Sequence, residues 1–229
     1  MDAQRIDEQK IVEKDGETAT TSAVPWPIDA YGGVLLNHLE MLYQPGEREI
    51  AVDFCRLFGW EVVDTGAPSE SGSTYLFVHL EPSDRDRLNN TFYLSEVRPE
   101  QAALESALRQ ESGSSSTLAD AFAAYRRKAR TRPHGIPHCG IRYRSFEDVE
   151  QVVERLQGAA ASPASPLLGR ISVDAVRPGD ARSMTDELVQ AFVYTDVMCS
   201  GLFVLGQLFE LQGQRRPAPD QRRGRPPTT

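Results

Sequence analysis

Cysteine is scarce in this chain, and its three cysteines, Cys55, Cys139 and Cys199, are far apart. Neither a disulfide framework nor a zinc knuckle is expected, because both need closely spaced sets of cysteines. No apolar run reaches the ~18 residues that a membrane helix requires, and the acidic, polar first residues lack the pattern of a secretory signal. We therefore expect a cytoplasmic protein with reduced thiols that does not bind a membrane.

Positive charge is also in short supply, since 25 lysines and arginines stand against 33 aspartates and glutamates. The formal net charge is −8, and a body of that sign repels phosphate groups. We therefore expect no nucleic-acid partner. Five of the arginines fall in residues 214–229, which are rich in proline and contain few apolar side chains. This composition predicts a disordered basic tail.

An internal repeat covers most of the chain. Residues 34–100 have the pattern of a strand, a helix and three further strands, and residues 135–213 show that pattern again. Each copy has a histidine near the start of its first strand, His38 in one and His138 in the other. The sequence therefore predicts an α+β fold made of two βαβββ modules.

Two further segments lie before and between the modules. Residues 1–33 show no sustained periodicity and contain prolines and glycines near their end, so they are predicted to be a partly flexible N-terminal arm. Residues 101–134 contain two alanine-rich stretches on either side of ESGSSS, and they are predicted to be a helical connector.

The repeat suggests a set of metal ligands. Alignment of the two copies by element places Glu96 of the first on Glu210 of the second, so each module offers a histidine in its first strand and a glutamate in its last. Imidazole and carboxylate groups suit Zn, Ni, Fe or Mn ions, and leave positions open for water or substrate. The candidate ligands are His38, Glu96, His138 and Glu210.

Neighbouring residues are candidates for other roles at this site. Arg142 has the strand phase of the second histidine, and it can bind a substrate carboxylate or enolate, or pair with Glu40 in the wall of the site. A slip of strand register would put Ser95 or Glu100 in the place of Glu96. Both roles of Arg142 and all three acceptor positions therefore stay open.

Four stretches carry a resemblance to a known family: LNHLEMLY with the helix after it, YLSEV, PHCGIRYRSFEDVEQVVERL and GQLFEL. Together they resemble the vicinal oxygen chelate superfamily, which contains glyoxalases, bleomycin-resistance proteins and extradiol dioxygenases. The resemblance implies that the two modules form a cup or barrel, with metal ligands from the first and last strand of each. The set of two histidines and two glutamates is similar to the ligand pattern of glyoxalase I.

The resemblance also implies a function. It favours a divalent-metal-dependent isomerase or lyase of specialised metabolism, acting on a small oxygenated substrate with Glu96 or Glu210 as the catalytic base. A first alternative is an Fe(II)-dependent dioxygenase that uses only His38, His138 and Glu210. A second alternative is a non-enzymatic protein that binds a drug or metabolite. The expected partners are a small molecule and a second copy of the chain in a homodimer.

Overall fold

The structure is a computed structural model that describes residues 36–68, 72–83, 89–183 and 185–215. The predicted arm, residues 1–33, lies outside the described residues, and so does nearly all of the predicted tail. Gln214, which the prediction placed in the tail, is the last residue of the final strand. Among the described residues, no helix combines the length and apolarity needed to cross a membrane.

The first module contains one helix and four strands. The elements, in chain order, are β1 (His38–Tyr43), α1 (Arg48–Leu57), β2 (Glu61–Pro68), β3 (Thr74–His79) and β4 (Thr91–Glu96). β1 runs parallel to β4, while β4, β3 and β2 are antiparallel neighbours. Two helices, α2 (Pro99–Ser114) and α3 (Ser116–Thr131), then occupy the interval that was predicted to be a helical connector.

The second module repeats this arrangement and adds one short strand. The elements, in chain order, are β5 (Cys139–Tyr143), α4 (Phe146–Ala161), β6 (Ile171–Val176), β7 (Leu188–Thr195), β8 (Met198–Cys199) and β9 (Gln207–Gln214). β5 runs parallel to β9, and β9, β7 and β6 are antiparallel neighbours. The predicted α+β fold and the repeated strand order are confirmed.

The short strand β8 was not predicted, and it joins the sheet of the first module. It pairs with the end of β1, so that the sheets have the orders β2-β3-β4-β1-β8 and β5-β9-β7-β6. The strand pairings among the described residues leave both sheets open. The loop after β8 is anchored by the buried Glu105 of α2, whose carboxylate accepts the backbone N–H groups of Phe203 and Val204 at 2.5 and 3.0 Å.

Both modules contribute to one main core, which contains residues of α1, of α4 and of both sheets. The helix α4 starts at a capping box between Ser145 and Asp148, which satisfies backbone N–H groups at its first turn. Phe209 of β9 lies at the centre of an aromatic cluster, with its ring centroid 5.6 to 6.4 Å from four others. These partners are Phe54, Phe58, Trp60 and Phe92.

Each sheet has a second face, which we call its outer face, turned away from the main core. In β1, Met41 and Tyr43 are fully buried in the main core, whereas His38 and Glu40 are exposed on the outer face, because successive side chains of a strand point to opposite faces. In β9, Phe209 lies in the main core, and Leu208 packs instead in a separate cluster with residues of α3 and β7. The helix α3 therefore covers part of the outer face of the second sheet.

Arg170, just before β6, forms hydrogen-bonded ion pairs that join the two modules. Its guanidinium binds the Glu47 carboxylate through two nitrogens at 2.9 Å each, and its Nε lies 2.7 Å from Asp196 Oδ1. The Arg170 side chain is only 19% exposed, so this bidentate contact is partly shielded from water.

We expect the change Arg170→Met to lower the free energy of unfolding by ~1–3 kcal/mol, because it leaves two carboxylates without their charged partner. The matched control is Arg177→Met, which removes a bidentate contact with Glu150 at the surface, where the arginine is 51% exposed. Exposed pairs contribute less than about 1 kcal/mol. Urea denaturation of both variants measures the difference, and equal losses would contradict the role given to Arg170.

The three thiols are free and differ in exposure, so their reactivity tests the packing. Burial raises the pKa of Cys55 and of Cys199 to about 12, and it also raises the pKa of the half-buried Cys139. Because the thiolate is the reactive form, we expect slow labelling of Cys139 alone by a disulfide reagent at pH 8, and labelling of all three in guanidinium. Rapid native labelling of Cys55 or Cys199 would show that the core is open.

Candidate functional site

His138 and Glu210 meet on the outer face of the second sheet. His138 immediately precedes β5, and Gly140 pairs with Glu210 in the parallel register of β5 and β9. The imidazole Nε2 lies 2.9 Å from Glu210 Oε2. Glu210 is only 7% exposed, whereas the His138 side chain is 30% exposed, so the histidine gives the pair its access to solvent.

Two glutamine side chains hold the Glu210 carboxylate in this orientation. The amide groups of Gln190 on β7 and Gln212 on β9 both donate to Oε1, the latter at 2.7 Å. Gln214 continues the series by donating to the Gln212 side chain at 2.9 Å. Because Oε1 is occupied by two donors, Oε2 is the carboxylate oxygen that faces His138.

The imidazole of His138 is also held in place by neighbouring groups. Nδ1 lies 2.8 Å from the carbonyl oxygen of Ile136, and that oxygen can only accept, so Nδ1 carries a hydrogen. The ring also packs edge-on against Phe192, with centroids 6.3 Å apart. Nε2 and Glu210 Oε2 are thus two electron-pair donors facing each other. A positive charge must lie between them, either a proton or a metal ion.

The spacing of these two atoms fits a metal site. Two adjacent ligands of an octahedral ion, each at ~2.1 Å, are about 3 Å apart. Metal-binding histidines typically donate their second ring N–H to a carbonyl or carboxylate oxygen, as His138 does to Ile136. His138 and Glu210 therefore match two of the four predicted ligands in geometry and in tautomer.

His38 lies at the corresponding place in the first module, but its neighbour there is aromatic. Its ring is exposed and stacks on Tyr93 at a centroid distance of 4.4 Å, and its Nδ1 is 2.8 Å from Asn37 Oδ1. Glu40, two residues after His38, pairs with Tyr93, just as Gly140 pairs with Glu210. Tyr93 is thus the structural counterpart of Glu210.

Glu96 does not correspond to Glu210, so the alignment made from the sequence is wrong by three residues. Glu96 pairs with Tyr43, and the equivalent pair in the second module is Tyr143 with Gly213. A Cβ atom at Gly213 would lie 2.7 Å from the backbone oxygen of Ser145, so no glutamate fits there.

The strand alternation leads to the same correction. Glu96 shares its face of β4 with Phe92 and Leu94, which are buried in the main core, whereas Glu210 is on the outer face. A shift by an odd number of residues moves a side chain to the opposite face of a sheet. Ser95, one of the alternatives considered for Glu96, does lie on the outer face, whereas Glu100 is an exposed residue in the first turn of α2.

Arg142 and Glu40 are both on outer faces but in different sheets. Arg142 is exposed and pairs in register with Gln212, next to the Glu210 carboxylate. Glu40 accepts a hydrogen bond from Ser95 Oγ at 3.1 Å, and partial burial raises its pKa against the opposing effect of that bond. Among the described residues the two form no ion pair, so the alternative in which Arg142 pairs with Glu40 is not observed.

Gln190 and Gln212 were not predicted from the sequence. Gln212 follows Glu210 at the two-residue spacing of one strand face, which is a local signal that could have identified it. Gln190 lies twenty residues earlier, and only the pairing of Gln190 with Gln212 across β7 and β9 brings it to the carboxylate. No pattern within β7 alone predicts that contact.

Within the described ranges, no three histidine, cysteine, aspartate or glutamate side chains lie close enough together to hold a metal ion. The geometry thus brings together two predicted ligands, His138 and Glu210, and does not bring His38 or Glu96 to them. Comparisons of the chain with protein-family models, with curated proteins and with solved structures found no match. The arrangement of His138 and Glu210 is therefore the basis for a function.

The contact between Gln190 and Glu210 can be measured by a double-mutant cycle. We expect Gln190→Leu to destabilise the protein by ~1–3 kcal/mol, because a buried carboxylate loses a donor. In a Glu210→Leu background the same change should cost much less, since no charge then remains to be solvated. Urea denaturation of the four proteins gives the coupling. Additive losses would show that the amide does not support the carboxylate.

Proposed function

We propose that the protein is a divalent-metal-dependent enzyme that acts on a small oxygenated substrate, with His138 and Glu210 as metal ligands. The observation that carries this proposal is the pair itself: Nε2 lies 2.9 Å from Oε2, while the other nitrogen of the ring and the other oxygen of the carboxylate are already hydrogen-bonded. The pair therefore needs one positive charge at one place, and a metal ion would supply it.

The same geometry argues against a metal-free acid–base pair. In such a pair the carboxylate orients one nitrogen of the imidazole, and the other nitrogen remains free to face the substrate. Here Ile136 occupies Nδ1 and Glu210 occupies Nε2, so neither nitrogen is free. A metal ion bound to both donors would supply a Lewis acid that polarises substrate oxygen atoms.

The side chains around the pair have definable tasks. Gln190 and Gln212 hold Oε1, so Glu210 would bind the ion through Oε2 alone. Phe192 limits water on one side of the imidazole, and Arg142 supplies positive charge beside Gln212 for an anionic group of the substrate. Each task follows from a contact or a register position on the outer face.

The register favours three protein ligands over four. Tyr93 occupies the place of the fourth ligand, and Glu96 lies on the opposite face, so the basis for Glu96 as a metal ligand or catalytic base is removed. His38 remains the candidate third ligand, because its Nδ1 is engaged by Asn37 and its Nε2 is the remaining donor. Two histidines and one carboxylate form the ligand set of non-haem Fe(II) oxygenases. We therefore place the dioxygenase alternative ahead of the isomerase or lyase.

The proposal retains the resemblance to the vicinal oxygen chelate superfamily. Its support is the parallel pairing of first and last strands in both modules, with His38 and His138 at matching positions. For His38 to complete the site, the outer faces of the two sheets must form the walls of one cup, and we include that arrangement in the proposal.

Metal binding tests the site directly. We expect the purified chain to bind one Fe(II), Co(II) or Mn(II) ion, and we expect His138→Ala and Glu210→Gln each to weaken binding by ~10–100-fold or more, since each removes a ligand. Glu96→Gln is the matched control, because its carboxylate is on the core side and should not affect affinity. Equilibrium dialysis with elemental analysis gives the occupancy, and circular dichroism checks the fold of each variant.

Full occupancy in both ligand variants would refute the assignment, and loss of binding in Glu96→Gln would restore the four-ligand site. The change His38→Ala separates the reaction classes. A large loss of metal affinity together with O₂-dependent turnover supports the three-ligand oxygenase. If the native chain binds no metal ion, the His138–Glu210 contact is a proton-bridged pair, and the non-enzymatic binding protein becomes the better interpretation.

A further inference from the structure

A groove of about 470 Å³ runs along the free edge of β5, at the junction of the two modules. This volume is in the range of pockets that bind small organic molecules. Its lining includes Gly59 just after α1, Leu80 and Asn90 beside β3 and β4, Gly140 to Tyr143 of β5, and Arg144 after that strand. Because Gly140 pairs with Glu210, the groove begins one strand away from the candidate metal ligands.

The edge of β5 is open, although the equivalent edge in the first module is closed. β1 has β4 on one side and β8 on the other, whereas β5 is the last strand of its sheet and pairs only with β9. None of the turn and loop backbone hydrogen bonds among the described residues involves residues 139–143. The backbone groups on this edge are therefore available to a ligand in the groove.

The groove also gathers positive charge in an otherwise acidic protein. Three arginines line it, and the two acids that line it are already engaged. Glu81 lies 2.8 Å from Arg144 and also accepts the Ser83 hydroxyl, and Asp148 accepts the backbone N–H of Ser145 in the capping box of α4. Arg142 and Arg155 have no carboxylate partner in the described part of the chain.

Arg155 is held in place for such a role. Its Nε donates to the carbonyl oxygen of Leu57 at 2.8 Å, which fixes the stem of the guanidinium and leaves its terminal nitrogens for another acceptor. The apolar part of the lining includes Phe58, Leu80, Ile141 and Val152. The Tyr143 hydroxyl donates to the Phe58 carbonyl at 3.0 Å and thereby joins β5 to the end of α1.

We propose that this groove binds a small organic carboxylate with an apolar body, whose carboxylate is held by Arg142 and Arg155. Guanidinium groups bind carboxylates through paired hydrogen bonds, and the apolar walls favour a ring or a branched chain on the ligand. That such a molecule is the substrate rests on the proposed function. Its binding to the groove does not, because none of the groove residues is a candidate metal ligand.

The test uses 1-naphthaleneacetate and its neutral analogue 1-naphthaleneacetamide, added to the full chain in the presence of EDTA. We expect the carboxylate to shift the backbone amide signals of Gly59 and Gly140 in ¹H–¹⁵N spectra. The amide should bind at least ~10-fold more weakly, since it lacks the charge. Arg142→Gln and Arg155→Gln should each weaken carboxylate binding by ~10-fold. Arg126→Gln, on an exposed part of α3, is the control and should bind as the unaltered chain does.

Equal binding of the two probes would overturn the proposal, as would an equal loss in the Arg126→Gln control, because both outcomes mean that no specific carboxylate site exists. Signal shifts that cluster away from Gly59 and Gly140, or no binding at millimolar probe, would also overturn it. EDTA keeps this measurement separate from metal binding. A chain that binds the carboxylate but no metal ion would refute the proposed function and leave the groove proposal intact.

Discussion

Parallel pairing between the first and last strand of each module is the constraint on which the candidate site depends. Parallel strands need a long connection, so residues far apart in the chain become neighbours, with both strands starting at the same edge of the sheet. In the second module, β5 and β9 bring together His138 and Glu210, which are 72 positions apart in the sequence. The helix α4 and the strands β6 and β7 lie between β5 and β9 in the chain and form the connection that returns it to that edge.

The same constraint acts in the first module with different chemistry. In that module the parallel pairing of β1 and β4 stacks the ring of His38 on the ring of Tyr93. The corresponding place in the second module has the imidazole of His138 and the carboxylate of Glu210. The two modules therefore share one backbone arrangement, but only the second has an imidazole and a carboxylate in contact. The open edge of β5, with its arginines, adds to this asymmetry, because the matching edge of β1 is covered by β8.

The sequence predicted those features of the fold that depend on residues close together in the chain. The repeated order of strands and helices was predicted correctly, because burial follows the 3.6-residue period in α4 and the two-residue period in β1. The first and last strands of the second module were expected to carry ligands, and they bring His138 and Glu210 together. The place of Glu96 was not predicted correctly, because strand register depends on contacts between distant segments, and a three-residue error reverses the face. Gln190 and β8 were missed for the same reason.

The short strand β8 belongs to the second module by sequence and to the first by pairing. Its two residues complete the sheet beside Leu42 and Tyr43, and Glu105 of α2 anchors the loop that follows. The first half of the chain expressed alone would therefore leave the edge of β1 uncovered, and the second half alone would leave β8 without its partner strand. Strand exchange at this one point makes the stability of each module depend on the presence of the other.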